Sequence, residues 1–392
     1  MPAAMLESDV QRIAPLITEI RRTLHAYPEP GFEEEQTARL IVDKLSGLGL
    51  EIATGLARTG VVATLKGARP GKTVLVRADM DALPVKEETG APYASRREGF
   101  MHACGHDGHV AVLIGLARLL ASKRDRIAGT IKFVFQPAEE GPGGAQPMIA
   151  AGVLANPTVD AALGFHLWNN LPVGQIGVRP GAIMAATDEI EIAVKGKGGH
   201  GAKPHLSVDA VVAAAHVVTG LQSIVSRTIN PLEPAVVTIG TINGGFRHNI
   251  IAPEVRMTGT VRTYDPALRE QLPGRIERVV QGVCEAMGAT CSVSFNPVYP
   301  ATLNDPAMTE LVRKAAVTVV GDEQAILCEP SMGGEDMSYF LSAVPGCYFF
   351  LGSANSARGL DQPHHSPLFD FDESAMPIGV QVLQQAVFDF LG

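Results

Sequence analysis

The 392-residue chain reads as an α/β protein, a larger domain with a mostly parallel mixed sheet flanked by helices, interrupted by an inserted ferredoxin-like βαββαβ unit. Three observations predict this. Short apolar strands alternate with amphipathic helices up to Pro180-Gly181. The order then changes to strand, helix, strand, strand, helix, strand. From about Ala301 the first pattern resumes. The expected boundaries are 1–184 and 299–392 for the larger domain and 185–298 for the insertion.

Taking the elements in order, Ile13, Ile17, Ile20 and Leu24 recur at helical spacing, and Tyr27-Pro-Glu-Pro-Gly31 breaks that helix before a second one over 34–48. Two β-rich runs follow at 61–65 and 73–78, the second nearly all apolar, as a strand buried on both faces requires. A helix over 109–122 leads to strands at 129–135 and 160–167. In the insertion, strands at 189–194, 235–242, 255–262 and 290–295 enclose helices at 207–225 and 266–287. The resumed pattern holds helices at 308–320 and 335–341, a strand at 347–351 and a terminal helix after Glu373.

A chain of this length exceeds what one core usually supports, so two domains are expected. The composition is globular: 46% hydrophobic, 19% charged. A net charge of −9, without any block of five basic residues, argues against a nucleic-acid partner, which needs a concentrated basic face. No run approaches 18 uncharged apolar residues, and residues 1–19 carry charges throughout, so neither a membrane span nor a signal peptide is expected. Five scattered cysteines do not make a disulfide framework. A reduced cytoplasmic protein is the expectation.

The chemistry concentrates in His102-Ala-Cys-Gly-His-Asp-Gly-His109, which puts three histidines, a cysteine and an aspartate within eight residues between a strand and a helix. Imidazole and thiolate are preferred ligands of zinc and related divalent ions. Gly105 and Gly108 let the backbone turn so that neighbouring side chains converge. The bland alternative is a solvated loop or a helix start capped by Asp107. Two acidic segments frame the cluster: Arg77-Ala-Asp79-Met-Asp81 and Phe135-Gln-Pro-Ala-Glu139-Glu140-Gly141, both at strand ends, where α/β folds place ligands. Adjacent glutamates on a strand point to opposite faces, but the turn between Pro137 and Gly141 lets both approach one site. One carboxylate can then ligate while the other takes a proton from the attacking water. His166, closing an apolar run, and His364-His365 add candidates that are weak singly. A cysteine-protease reading of Cys104 would leave these other segments unexplained.

In the insertion, Gly196-Lys-Gly-Gly-His200-Gly-Ala-Lys-Pro-His205 joins a strand to a helix, but its spacing fits neither a P-loop nor a dinucleotide fingerprint. Its histidines suit a polar loop that reaches a substrate oxygen. Asn249 and Arg262 could bind a carboxylate, or be ordinary exposed polar positions.

Together these segments resemble the M20 family of metallopeptidases, in particular its amidohydrolase subfamily, which includes hippurate hydrolases, N-acetyl-diaminopimelate deacetylases and plant auxin-conjugate hydrolases. The matching motifs are Arg77-Ala-Asp-Met-Asp-Ala-Leu-Pro84, His102 to His109, Phe135-Gln-Pro-Ala-Glu-Glu140, the 196–205 loop, Gly259-Thr-Val-Arg262, Gly333-Gly-Glu-Asp336 and His365-Ser-Pro. They span the chain from about Leu24 to Glu373.

The resemblance implies a zinc-exopeptidase-like catalytic domain with a smaller lid domain that usually mediates dimers. It implies two divalent ions (manganese, zinc, cobalt or nickel) held by Cys104, His106, Glu140, His166 and His365, with Glu139 as general base and Asp79 beside the metals. His200 matches a lid histidine that stabilises the oxyanion, in dimers from the partner subunit, and Asn249 and Arg262 match residues that hold the substrate carboxylate. Arg77 stands where other branches carry a histidine ligand, which favours the amidohydrolase branch. The implied activity is hydrolysis of N-acyl amino acids by a homodimer or higher oligomer. A carboxypeptidase or dipeptidase using the same centre is the alternative, and a silent binding protein the one from another class.

Overall fold

The computed structural model describes residues 6–392. In chain order its elements begin with α1 (Ser8–Ala26), α2 (Glu35–Leu45), β1 (Glu51–Leu56), β2 (Gly60–Lys66), β3 (Arg69–Asp79) and α3 (His106–Ser122). Next come β4 (Ala128–Gln136), α4 (Ala145–Ala150), β5 (Ala161–Pro172), β6 (Ile176–Val178) and β7 (Gly181–Met184). Then follow β8 (Ala186–Lys195), β9 (Gly199–His200), α5 (Ala210–Ser223), β10 (Ala235–Gly244), β11 (Ile250–Ile251), β12 (Glu254–Thr263), α6 (Pro266–Ala286) and β13 (Thr290–Tyr299). The last are β14 (Thr302–Asn304), α7 (Pro306–Val320), β15 (Ala325–Leu327), α8 (Met337–Ala343), β16 (Gly346–Ala354) and α9 (Ala375–Leu391).

The chain divides into two compact units. The first takes the chain up to Ile183 with Leu303–Glu329 and Asp336–Gly392; the second is Met184–Thr302 with Pro330–Glu335. The short return of 330–335 follows from a backbone bond, Ala185 N–H to Gly333 O at 2.9 Å, and a bridge between Met184 and Ser331.

The first unit holds an eight-stranded sheet in the order β1-β2-β4-β3-β5-β16-β6-β15. Its centre is parallel: β3 pairs β4 and β5 in parallel, and β5 pairs β16 likewise. The apolar run of β3 is buried from Thr73 to Asp79, so helices cover both faces, as the unbroken hydrophobic pattern requires. The stripe Ile13, Ile17, Ile20 and Leu24 of α1 joins that core with α3 and α9.

The second unit holds an antiparallel sheet ordered β10-β12-β8-β13, with α5 and α6 packed on one face around a core of its own. Strand and helix order together are those of the βαββαβ arrangement. Asp209 caps α5 by accepting the amides of Val211 and Val212, and so starts that helix at Ala210 rather than at 207. By length and mean hydropathy alone, Ala210–Thr228 could cross a membrane. Its Ala213, Ala214, Val217, Leu221 and Ile224 instead fill the second unit's core.

Candidate metal centre

Parallel pairing of β3 and β4 brings their carboxyl ends to one edge, with Asp79 opposite Gln136. Asp79 and Asp81 leave one strand there, and Glu139 and Glu140 the other. Two residues past the paired Arg77 and Gly164, β5 contributes His166. The turn 102–105 delivers Cys104 and opens α3 at His106, with Gly105 at φ 85°, a conformation that favours glycine.

The adjacent glutamates reach one site because Ala138 adopts φ 54° and because Asp81 accepts both of their backbone amides, at 3.0 Å from Glu139 and 3.1 Å from Glu140. A third carboxylate underlies this turn. Buried Glu34 accepts the Ala138 amide at 2.9 Å and the Thr59 hydroxyl at 2.5 Å, and burial, aided by the nearby Asp81 charge, pushes its pKa up to about 7. His365 is also held in the left-handed region, φ 66°, with its amide donating to Ala103 O at 2.8 Å. This bond lays the His365 loop against the Cys104 turn.

The five residues that the resemblance assigned to metal converge. Cys104 Sγ lies 3.4 Å from His166 Nε2, and His365 Nε2 lies 3.1 Å from Glu140 Oε1. His106 Nε2 is 4.0 Å from Glu139 Oε2, 4.0 Å from Glu140 Oε1 and 3.8 Å from Asp79 Oδ1. Donor atoms of Cys104, His106 and His166 lie within 4.8 Å of one another, and so do those of Cys104, Glu140 and His365.

Hydrogen bonds separate free donors from committed ones. His106 Nδ1 donates to Asp81 O at 3.0 Å, and His166 Nδ1 to Leu167 O at 2.6 Å, so both rings turn an Nε2 lone pair inward. His109 Nε2 accepts the Leu167 amide at 2.9 Å, which leaves Nδ1–H to donate to Asp79 at 2.5 Å. Neither His109 nitrogen is free to ligate. Asp107 is taken by Arg21 and His25. His364 donates to Leu167 O at 2.9 Å and contacts the rings of His166, Trp168 and Phe369, with burial holding its pKa down to about 4. His102 is fully buried with neither ring nitrogen hydrogen-bonded, and burial lowers its pKa to about 4.

These donors fit divalent cations. His106 Nε2 is buried with no hydrogen-bond partner, a costly state for an imidazole nitrogen unless a cation takes its lone pair. Burial pulls the His106 pKa down, but Asp79, Asp81 and Glu140 outweigh it and raise it to about 10. Burial, with Glu140 and Glu139 next, holds the Cys104 thiol well above its usual range. The thiol, imidazoles and carboxylates gathered here form a donor set that suits zinc and its neighbours.

Below the ligands, buried Arg77 donates to Gln136 at 2.9 Å, Asp79 at 2.6 Å and Asp336 at 2.7 Å. Asp336 also accepts the amides of Gly144 and Ala145. α8 begins just after Asp336, at Met337 and not at Glu335. Glu34 was not marked in the sequence, and Arg77, Asp81 and Asp336 were marked only as members of motifs, without these partners. The one available signal was Arg77 itself, a charge in an apolar strand that burial obliges to find partners.

His200, Asn249 and Arg262 belong to the second unit. His200 pairs with Ile250 across β9 and β11, and Gly201 donates to Asn249 O at 2.9 Å, so two of the three are neighbours. His200 Nδ1 accepts the Ala202 amide at 3.1 Å, leaving Nε2 to carry the proton of the neutral ring. Arg262 sits on β12 opposite Thr187, whose hydroxyl it contacts, and partial burial lowers its pKa.

The family model described as peptidase family M20/M25/M40 matches residues 75–389. Thermostable carboxypeptidase 1 of Saccharolobus solfataricus is 42% identical over 378 residues, covering 95% of each chain. N-acetyldiaminopimelate deacetylase of Bacillus cytotoxicus is 42% identical over 370 residues, covering 94% of this chain and 96% of that protein. The crystal structure of the Bacillus subtilis YXEP protein, described as a dinuclear metal-binding peptidase, aligns with TM-score 0.85 and 34% identity over 97% of this chain and 99% of its own.

Proposed function

The chain belongs to peptidase family M20/M25/M40, and from that membership we propose that it hydrolyses the amide bond of N-acyl amino acids at a centre of two divalent ions. The reading rests on one observation above the others: the buried, unpartnered His106 Nε2 amid Asp79, Glu139 and Glu140. Cys104, His106, Glu140, His166 and His365 would hold the ions, of which manganese, zinc, cobalt and nickel all suit such ligands. When bound, they would polarise the scissile carbonyl and ease deprotonation of water.

Glu139 takes the proton of the attacking water and returns it to the nitrogen of the departing amino acid. Its backbone N–H donates a hydrogen bond to Asp81, which holds the turn that brings the Glu139 carboxylate to 4.0 Å from His106 Nε2. Asp79, clamped by Arg77 and His109, stays ionised and adds negative charge without ligating. The second unit's residues carry supporting roles: His200 Nε2–H donates to the developing oxyanion, and Asn249 and Arg262 hold the substrate carboxylate. Assembly as a homodimer through that unit belongs to the same reading. So does a cytoplasmic site of action, supported by five free cysteines.

Glu139→Gln keeps its shape and loses the base. It is expected to retain both ions, by elemental analysis, while kcat falls about 10²–10⁴-fold. Normal turnover in a metal-loaded Glu139→Gln protein would remove the assignment. His200→Ala is expected to cost about 10²–10³ in kcat. Mixing the two variants reports whether His200 acts across subunits, since recovered activity requires a shared site. The similarity to a carboxypeptidase keeps peptides as the second substrate class. A panel of hippurate, acetyl amino acids and dipeptides separates them, and higher kcat/KM on dipeptides would favour the second.

A further inference from the structure

A second buried charge cluster lies behind the ligands, around Arg21 of α1. Its side chain is fully buried, and each arm of the guanidinium meets a different carboxylate. Nε donates to Asp107 at 2.9 Å, Nη2 to Asp370 at 2.7 Å and Nη1 to Glu373 at 3.3 Å. The guanidinium also lies 4.4 Å from the centre of the Phe371 ring and 4.8 Å from that of Tyr93, whose hydroxyl donates to Asp370 at 2.7 Å.

The partners of Arg21 have a definite place in the chain. Asp107 follows His106 directly, and Asp370 lies five residues beyond His365. Two segments that each carry metal-ligating residues, the Cys104–His106 turn and the His365 loop, are thus tied to one cation that ligates nothing. They are also joined by the backbone bond from His365 N to Ala103 O and by the packing of Phe371 against Gly108, neither of which supplies charge. Without the guanidinium, buried Asp107 would keep the His25 ring, and Asp370 the neutral donors Tyr93 and Phe371 N–H, so the two carboxylates would lose the one charge they share. A fork with donors on three sides can bridge them; a single ammonium cannot.

We propose that Arg21 is a positioning residue of the metal centre, joining the Cys104 turn to the His365 loop and so setting the affinity for one ion of the two. The inference rests on the two-ion reading above. The group Cys104, Glu140 and His365 draws ligands from both tied segments, whereas Cys104, His106 and His166 use only one of them. Loss of the bridge therefore weakens the ion held with His365 and spares the other.

The test is titration of the chelator-stripped full chain with Co²⁺, followed by calorimetry and by the thiolate-to-cobalt charge-transfer band. Wild type takes up two equivalents. Arg21→Lys and Asp370→Asn, which break the bridge from either end, each keep one equivalent near wild-type affinity and weaken the other about 10–100-fold. Arg21→Met behaves as Arg21→Lys does, and Asp370→Asn carries the test should it fail to fold. A purely structural role would lower the melting temperature and leave both affinities unchanged, or weaken both alike; either result overturns the proposal, as does full rescue by lysine. Fewer than two equivalents in wild type would overturn the two-ion reading instead.

Discussion

Among single residues, Glu34 shows how a carboxylate that has no proposed part in ligation or proton transfer can govern a site. It holds the Ala138 amide and thereby the turn that carries Glu139 and Glu140. Its folded pKa, about 7, lies above the ordinary 4.5, so its contribution to stability is fully present below about pH 4.5 and is lost as pH rises through 7. The size of that loss is roughly 3 kcal/mol. Glutamine reproduces the protonated form, accepting from Ala138 and donating to Thr59. Urea denaturation of the chelated protein should therefore find Glu34→Gln more stable than wild type at pH 8 and equal to it at pH 5. A variant less stable at pH 8 would refute this. None of it was legible in the sequence, where Glu34 is one acid among several in a polar stretch. Cys104, His106 and the paired glutamates were legible because ligand types crowd within a few residues. Asp81 was legible only as a carboxylate at a strand end; its work of accepting two backbone amides was not, because amide direction leaves no mark in a residue string.

Among elements, α3 must start tightly against β5. A Cβ built on Gly108 would meet Leu167 Cδ1 at 2.5 Å and Phe371 Cζ at 2.7 Å, both in fully buried side chains. Gly108→Ala gains about 1 kcal/mol of helix propensity and loses about 1–3 to overpacking. We expect a net loss of about 1–2 kcal/mol, read as a lower urea midpoint at unchanged slope; a gain would show that β5 yields. The long periodic elements were readable: α1 buries the four positions its spacing marked, and the apolar run of β3 is buried to its end. β1 escaped because it is an edge strand of six largely exposed residues with no alternation to betray it. β6 and β15 have three residues each, too few to show a period. α8 was placed two residues early because the sequence does not show that Asp336 turns its side chain to Arg77, 259 positions away, and makes no side-chain cap bond to the helix.

Across the whole molecule, two separate apolar cores mean that ligand energy delivered to one unit is local to it. All five proposed ligands belong to the first unit. Ions at 100 times their Kd should stabilise that unit by about 2.7 kcal/mol. Hydrogen exchange should show slower exchange on adding Co²⁺ at residues 110–120, and none at residues 213–221. Equal slowing in both would mean that they open together. The chain carries a single tryptophan, Trp168, whose ring stands 5.4 Å from that of His166, 5.0 Å from that of His364 and stacked on Phe350. All indole fluorescence of the protein therefore originates beside the metal centre. Zinc, with its filled d shell, can alter that emission only by moving the ring or its surroundings, whereas the open-shell ions cobalt and nickel can also quench it. The unlabelled protein thus carries its own optical gauge of which ion has arrived, readable in real time against a dark background.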